Sequence, residues 1–263
     1  MHDNFMNIEE VDIMSDEFMK ESLWPRGAKC CVNLTFDDCA RGRFAPLCGT
    51  PRILKILKEY DVKATFFTGG WDTEEYPNTI KKIFDDGHEV AAHGFAHEPF
   101  DKLEEEDERR RLVLTHDILT DLLGVPPKGW RGPGGSISPR VPFITKELGY
   151  IYDSSFNNDD LPYMLEIDGK ETGLVELPFA WILDDAPLYG VRKTASWVLS
   201  AWKEEFRATY EEGGYYGLCM HGDHSGRPSR PKVLEGLIRY IRGFPGVWWA
   251  TCLEVAEWWL KRV

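Results

Sequence analysis

Two kinds of hydrophobic pattern alternate along the 263-residue chain. Short apolar runs, rich in β-branched or aromatic residues, are separated by stretches with helical periodicity. The runs cover residues 30–36, 63–68, 88–92, 150–155, 174–180, 215–220 and 246–251. This alternation is typical of stacked βαβ units around a mainly parallel sheet. We therefore predict an α/β fold, and the length suits a single domain.

Three stretches between the apolar runs predict helices. The first, 51–60, has proline at its first helical position, and the second, 78–87, ends on a glycine suited to a C-cap. The third, 101–123, predicts the longest helix. No linker long enough to divide the chain separates these elements.

The charged part of the longest helix, "EEEDERRR", is predicted to lie on the surface. Three of its acidic side chains each precede a basic one by four residues, the spacing that stabilises a solvated helix face. The predicted pairs are Glu105 with Arg109, Glu106 with Arg110, and Asp107 with Arg111. His116 on the same helix is interpreted as a polar-face residue and not as a metal ligand.

Two further segments show neither a clear helical periodicity nor a clear strand-like one. Residues 156–173 are rich in loop-forming residues and predict a connection or a lid over a pocket. The tryptophan-rich segment 247–260 predicts core or a subunit interface, so a homo-oligomer remains open.

Composition and charge limit the classes of partner. The formal net charge of -13 at pH 7 disfavours nucleic acid as a partner. The N-terminus lacks the pattern of a signal peptide and no window reaches transmembrane length, so we expect a protein of the cytoplasm without a membrane partner. The six cysteines form no C-x-x-C pair and are interpreted as buried free thiols. They are Cys30, Cys31, Cys39, Cys48, Cys219 and Cys252.

Candidate metal ligands follow two of the apolar runs. Asp37 and Asp38 end the first run, at the edge of a parallel sheet where active sites are built. His93 and His97 follow the third run and are four residues apart, a spacing that lets two imidazoles hold one divalent ion. Alone, each pair has an ordinary alternative, a turn or helix cap for the aspartates and polar surface for the histidines. Together they predict a catalytic metal site with open coordination positions.

Four other residues are candidates for catalysis. Arg131 lies among glycines in "GWRGPGG", Asp184 and Asp185 lie in "WILDD", and His221 directly follows an apolar run. Ordinary alternatives are a helix cap for the arginine, a turn for the aspartates and a satisfied strand-end histidine.

Taken in order, "TFDD", "HGFAH", "RGPG", "WILDD" and "LCMH" resemble the five motifs of the polysaccharide deacetylase (NodB-like, carbohydrate esterase) family of metal-dependent hydrolases. The resemblance runs from about Trp24 to the C-terminus. It implies an N-terminal extension over 1–23 and a catalytic domain over 24–263, folded as a distorted (β/α) barrel with about seven strands. The details are similar to the subgroup of intracellular peptidoglycan-deacetylase-like proteins, cyclic imide hydrolases and allantoinase-like enzymes.

The resemblance implies a metal site. Asp38, His93 and His97 would hold one divalent ion, with zinc as the first choice and cobalt, nickel, manganese or iron(II) as alternatives. The chain keeps all three ligands, unlike relatives that work without metal.

The resemblance also implies the catalytic roles. Asp37 would be the general base and His221 the general acid. Arg131 would orient the base, and Asp185, with Asp184 as the alternative, would support the acid.

Three positions depart from the family motifs and influence the expected substrate. Gly94, Gly134 and Ala186 stand where relatives usually have Ser or Thr, Tyr and Trp. Since the last two changes remove aromatic groups near the sugar, we expect a hydrolase of a small amide or cyclic imide. The alternatives are an N-deacetylase of N-acetylglucosamine-containing polysaccharide, such as peptidoglycan or chitin, and a catalytically silent ligand-binding relative.

Overall fold

The computed structural model describes residues 22–262. Of the predicted N-terminal extension, 1–23, only Ser22 and Leu23 belong to the described residues, so this boundary stays a prediction. The carbonyl of Leu23 accepts a hydrogen bond from Trp258 Nε1 at 2.9 Å, which attaches the start of the described chain to its last helix. No helix among the described residues is long and apolar enough to cross a membrane.

Nine strands of the described chain form one curled sheet, consistent with the predicted (β/α) barrel and two more than the seven apolar runs. The strands are β1 (Cys30–Asp37), β2 (Thr65–Thr68), β3 (Glu89–Ala92), β4 (Gly129–Trp130), β5 (Tyr152–Asp153), β6 (Tyr163–Ile167), β7 (Lys170–Glu176), β8 (Tyr215–His221) and β9 (Val247–Trp249). Their order is β6-β7-β5-β4-β3-β2-β1-β8, and β9 also pairs with β1. Every pair is parallel except β6 with β7. The carboxyl ends of the parallel strands therefore share one rim.

Nine α-helices of the described chain connect these strands. They are α1 (Thr50–Glu59), α2 (Gly70–Glu75), α3 (Pro77–Asp85), α4 (Glu105–Leu123), α5 (Val141–Glu147), α6 (Asp185–Gly190), α7 (Ala195–Glu212), α8 (Pro231–Ile241) and α9 (Cys252–Trp259). The three helices predicted from periodicity are α1, α3 and α4. The last begins at Glu105 because a short 3-10 turn occupies 100–102.

Strand β1 shows how side-chain alternation builds the core and the rim. Successive side chains of a strand point to opposite faces. Val32, Leu34 and Phe36 belong to the cluster packed under the outer helices, whereas Cys31 belongs to the cluster inside the curl of the sheet. The same alternation leads along the inner face to Asp37 at the rim.

The tryptophan-rich segment 247–260 closes the inner cluster. Val255 and Ala256 are fully buried there, and the rings of Trp248 and Trp259 lie 6.1 Å from the ring of Trp24. The segment thus contributes core packing, as predicted. Its alternative role in a subunit interface stays a prediction.

Only the first part of the segment 156–173 is the connecting loop that its composition predicts. Residues 156–162 connect β5 to β6, and the rest forms β6 and the start of β7, joined by a two-residue turn at the edge of the sheet. Asp168 and Gly169 have φ values of 51° and 72°, the left-handed conformations that a tight hairpin requires. Pairing with β7 fixes 163–167 as a strand.

The surface ion pairs predicted for α4 are also wrong. Arg109 binds Glu147 on α5, Arg110 binds Asp107 three residues away, and Arg111 reaches Glu98 outside the helix. For Arg109 and Arg111, partners outside α4 replace the predicted i, i+4 acids, and for Arg110 the partner is an acid one position closer on the same helix.

Glu108 departs further from the expectation of a solvated face. It is fully buried and accepts hydrogen bonds from Ser138 Oγ and from the Arg140 guanidinium, both at 2.9 Å. Half-buried His116 stacks on Tyr150 with 5.6 Å between the ring centroids. The buried carboxylate of Glu108 therefore attaches the segment before α5 to α4.

The free thiols are mostly where the sequence predicts them. Among the described residues all six cysteines are free, and five are buried. Cys48 is exposed.

We expect Glu108→Ala to lower the free energy of unfolding by about 1–3 kcal/mol, because Ser138 and Arg140 lose a buried acceptor. Urea denaturation at pH 7 measures this change. Glu106→Ala, an exposed acid on the same helix, should stay within about 0.5 kcal/mol of the parent. Equal effects of the two substitutions would contradict the structural role given to Glu108.

Candidate active site

The candidate site lies where β1 and β8 end side by side. Asp37 and His221 are register partners in this parallel pair. Alternate residues of a strand point to the same face. Asp37 therefore shares the inner face of the sheet with Cys31, and His221 shares it with Tyr215. A carboxylate and an imidazole therefore face one cleft from neighbouring strands.

Arg131, directly after β4, supplies a buried positive charge beside Asp37. Its Nη1 lies 2.9 Å from Asp37 Oδ1 and 2.8 Å from Thr35 Oγ1. Its Nε and Nη2 donate to the carbonyl and the hydroxyl of Ser154. The side chain is 3% exposed, so these acceptors replace water around the guanidinium.

Two aromatic rings cover the faces of this guanidinium. Its central carbon lies 4.1 Å from the ring centroid of Phe67 and 4.6 Å from that of Phe179. The negative ring faces attract the cation, and their bulk keeps water away. Arg131 is thereby held in one orientation.

The charge state of Asp37 follows from these neighbours. Burial alone would raise its pKa, but the Arg131 guanidinium and the imidazoles of His93 and His221 hold it below the usual range. Asp37 is therefore ionised at neutral pH and can accept a proton.

Asp38, His93 and His97 offer three ligand atoms that all lie within 4.8 Å of one another. Asp38 Oδ1 is buried and has no hydrogen-bond donor among the described residues. His93 Nδ1 lies 2.8 Å from the carbonyl oxygen of Arg131, which can only accept, so Nδ1 carries the proton. The lone pair of His93 Nε2 is thus free for a cation. The residue types and spacing fit one divalent ion.

The backbone at these candidate ligands is unusual. Asp38 and His97 have φ values of 53° and 61°, which are costly for residues with a β-carbon. Gly94 has φ 71°, and a β-carbon there would lie 3.0 Å from Phe100 and from Pro133. The glycine that departs from the family motif therefore fits a tight left-handed turn between the two histidines.

The second half of the site is centred on His221. Its Nδ1 lies 2.7 Å from Asp185 Oδ1, and Asp185 Oδ2 accepts from the His221 backbone N–H and from Ser225 Oγ. Burial opposes the charged imidazole, but the hydrogen bond and charge of Asp185 raise the pKa of His221 to about 10. The imidazole is therefore protonated at neutral pH.

The two adjacent aspartates of "WILDD" have different contacts. Asp184 caps α6 by accepting from the Ala186 N–H at 2.9 Å, and its carboxylate is 3.8 Å from His221 Nδ1. Asp185 is the one in hydrogen-bond contact with the imidazole. Geometry thus favours Asp185 over Asp184 as the support of His221.

Sequence reasoning missed two residues beside the Asp37–Arg131 pair, Cys219 and Thr35. Cys219 Sγ lies 3.5 Å from Asp37 Oδ2, and burial raises the pKa of this thiol well above its usual value, so it stays protonated. Cys219 precedes His221 by two positions in β8, so both side chains point to the same face. This spacing could have placed Cys219 at the site. Thr35 has the same relation to Asp37 in β1.

The glycine-rich segment after Arg131 uses its N–H groups within the protein. The Gly132 N–H donates to Ser155 Oγ and the Gly135 N–H to the Gly132 carbonyl. Gly134 has open space beside it, and the ring of Trp181, 54% exposed, passes 3.6 Å from where a Gly135 β-carbon would be. An exposed aromatic ring therefore borders the cleft.

Comparison with known proteins shows the family of the chain and its fold. The sequence model of the polysaccharide deacetylase family matches residues 25–152. A peptidoglycan deacetylase of Helicobacter pylori is 32% identical over 259 residues, covering 86% of this chain and 88% of the relative. The chain belongs to the polysaccharide deacetylase family.

Solved structures share the fold. A protein from Mycobacterium smegmatis that carries the polysaccharide deacetylase name has a TM-score of 0.82 and 32% identity, covering 91% of this chain and 93% of that one. The allantoinase Puue has the same TM-score and coverage at 22% identity, a likeness that concerns the fold alone.

We expect His97→Ala to abolish retention of a divalent ion, because the cluster loses one of its three ligand atoms. Elemental analysis of the purified and dialysed variant measures this. His116→Ala, on α4, should retain as much metal as the parent. Stoichiometric metal in the His97 variant would refute the proposed ligand set.

The His221–Asp185 contact predicts a pH-dependent stability. The pKa of His221 is about 10 in the folded protein against 6.5 ordinarily, so its contribution is fully present below pH 6.5 and is lost as pH rises through 10. We expect the unfolding free energy to fall by a few kcal/mol across this window, of the order set by ~1.4 kcal/mol per pKa unit. Asp185→Asn should flatten the fall, whereas Asp223→Asn should not. An equally steep fall in Asp185→Asn would contradict this assignment.

Proposed function

We propose that this protein is a divalent-metal-dependent N-deacetylase acting on N-acetylglucosamine units of peptidoglycan or a related glycan. The observation that carries the proposal is the arrangement of an ionised Asp37 and a protonated His221 on neighbouring strands beside the Asp38–His93–His97 cluster. The peptidoglycan deacetylase of Helicobacter pylori, similar over most of both chains, supports the substrate class.

Asp38, His93 and His97 would hold the ion. When bound, a divalent ion supplies polarisation of the acetyl carbonyl and lowers the pKa of water toward neutrality. The three ligands leave room for water and substrate, as in catalytic zinc sites. Two imidazoles and a carboxylate suit zinc, with cobalt, nickel, manganese and iron(II) as alternatives.

The protein groups divide the proton transfers. Asp37, oriented by Arg131, takes a proton from the water that attacks the amide carbon. His221 then gives a proton to the departing nitrogen as the carbon–nitrogen bond breaks. Amide and water become acetate and a free amine, and Asp185 holds the imidazole in position throughout.

The rim of the cleft favours a sugar over a small ring. Half-exposed Trp181 offers an apolar ring face of the kind on which a sugar can stack, beside Gly135. His97, with 32% of its side chain exposed, opens the cluster to solvent. Since 163–173 form a hairpin, only 156–162 of the predicted lid is a loop, which weakens the structural reason to expect an enclosed small-molecule pocket.

Hydrolysis of a small amide or cyclic imide remains the second candidate. It rests on Gly134 and Ala186, which stand where family members have aromatic residues. A silent binding relative is disfavoured because every predicted catalytic and ligand position is filled. The location in the cytoplasm and a homo-oligomeric state stay predictions.

A substrate comparison separates the two enzymatic candidates. The zinc-loaded protein is incubated with peptidoglycan fragments and chitin oligomers in one series, and with succinimide, dihydrouracil and allantoin in another. We expect acetate release in the first series and no ring opening in the second. Ring opening without acetate release would replace the proposed substrate by the small imide.

We expect Asp37→Asn to retain the metal and lose turnover, by roughly 10²–10⁴-fold as for removal of a general base. The parent should show a bell-shaped pH dependence of kcat/KM. Activity should fall at low pH as Asp37 becomes protonated and at high pH as His221 loses its proton. Asp223→Asn is the matched control and should keep near-parent activity. Near-parent turnover in Asp37→Asn would reassign the base.

A further inference from the structure

Two buried carboxyl groups outside the motifs lie side by side next to the site. Asp153 ends β5 and Glu176 ends β7, and they are register partners in this parallel pair. Both are fully buried. Neither is a ligand or a proton-transfer group in the mechanism above, so their burial requires another explanation.

Each carboxyl group has one oxygen bound to backbone and one without a donor. Asp153 Oδ1 accepts from the Ser155 N–H at 2.7 Å, and Glu176 Oε1 accepts from the Phe156 N–H at 2.9 Å. Asp153 Oδ2 and Glu176 Oε2 are buried and have no donor among the described residues. Two adjacent buried anions repel each other strongly, and one proton shared between the two remaining oxygens removes that repulsion.

The surroundings support a single negative charge on the pair. Burial raises the pKa of Asp153 to about 6 and that of Glu176 well above its usual value. The groups that face the pair are the Arg131 cation and the hydroxyls of Tyr163 on β6 and Tyr215 on β8, whose pKa values burial also raises. Arg131 already faces the ionised Asp37, so its charge favours one negative charge on the Asp153–Glu176 pair over two.

The backbone that the pair holds carries the contacts to the site. The Ser154 carbonyl and hydroxyl accept from Nε and Nη2 of Arg131. Ser155 Oγ accepts from the Gly132 N–H at 2.8 Å. The two N–H groups bound by Asp153 and Glu176 directly follow Ser154 along the chain, so the pair fixes the segment 154–156 against Arg131.

We propose that Asp153 and Glu176 share one proton and act as positioning residues, holding Ser154 and Ser155 so that Arg131 is set against Asp37. The catalytic part of this inference rests on the proposed function, because orientation of Asp37 matters only if Asp37 is the base. The shared proton and the fixed segment are independent of the substrate.

Amide substitutions test the shared proton without changing side-chain size. In Asp153→Asn or Glu176→Gln, the new NH₂ group can donate to the remaining carboxylate and replace the shared proton. In the double variant two NH₂ groups face each other with no acceptor between them. Glu166→Gln, an exposed acid on β6, is the matched control.

Hydrogen exchange and infrared spectroscopy provide readouts that need no substrate. We expect both single variants to keep slow amide exchange over 130–135 and 153–157, and the double variant to lose it. At neutral pH the parent and the control should show a protonated-carboxyl C=O band that both single variants lack. Absence of that band in the parent, or equal exchange in the parent and the double variant, would overturn the inference.

Kinetics test the positioning role. We expect kcat to fall about 10- to 100-fold in the double variant with little change in KM, as for a small misplacement of a catalytic group, and to stay near the parent value in each single variant. Single variants as impaired as the double variant would overturn it. If the parent hydrolyses none of the substrates, the proposed function fails. Hydrogen exchange and infrared spectroscopy still test whether Asp153 and Glu176 share a proton and hold the segment 154–156.

Discussion

The rest of the candidate site depends on one buried positive charge, the guanidinium of Arg131. The Arg131 guanidinium is almost fully buried, and an unpaired charge in that position would cost several kcal/mol. It is balanced by Asp37 from β1, by the carbonyl and hydroxyl of Ser154 after β5, and by the ring faces of Phe67 and Phe179. Separate segments of the curled sheet must therefore meet at one point, and the positions of the base and its neighbours follow from that meeting.

The same constraint separates the charge states that the chemistry needs. Arg131 keeps Asp37 ionised although it is buried, and Asp185 keeps His221 protonated although it too is largely buried. An ionised carboxylate and a protonated imidazole can then coexist on neighbouring strands at one pH. General acid–base hydrolysis requires both, one group to accept a proton from water and the other to give a proton to the leaving group. His93 joins the two parts, because its Nδ1 is held by the Arg131 carbonyl while its Nε2 faces the metal cluster. Fixing Arg131 therefore also fixes one of the proposed metal ligands.

Much of this arrangement could be predicted because it depends on strand periodicity. Asp37 and His221 each end an apolar run, and the ends of parallel strands share a rim, so pattern placed both at that rim. The roles of Asp37, His221, Arg131 and Asp185 came from the resemblance, and the pairing of β1 with β8 is seen only in the structure. The hairpin of β6 and β7 was missed although Asp168–Gly169 is a strong turn signal, because its strands are neither uniformly apolar nor regularly alternating.

Other features depend on contacts between distant segments and left little trace in the sequence. Glu108 stands in a run of charges typical of a solvated face, and only packing against the segment before α5 buries it. Asp153 and Glu176 lie in two predicted apolar runs, 150–155 and 174–180, but only the order of strands in the sheet makes these residues, 23 positions apart, neighbours. The left-handed backbone at Asp38 and His97 likewise has no signature in residue type.

The central claim is that the metal lies beside the base and acid and not on them. Three groupings of the described residues could hold an ion: Asp38 with His93 and His97, Asp37 with Cys219 and His221, and Asp184 with Asp185 and His221. Anomalous diffraction at the zinc edge from crystals of the zinc-loaded protein distinguishes them directly. We predict one strong peak about 2.0–2.2 Å from ligand atoms of Asp38, His93 and His97. A peak bound to His221 in either of the other groupings would contradict the account.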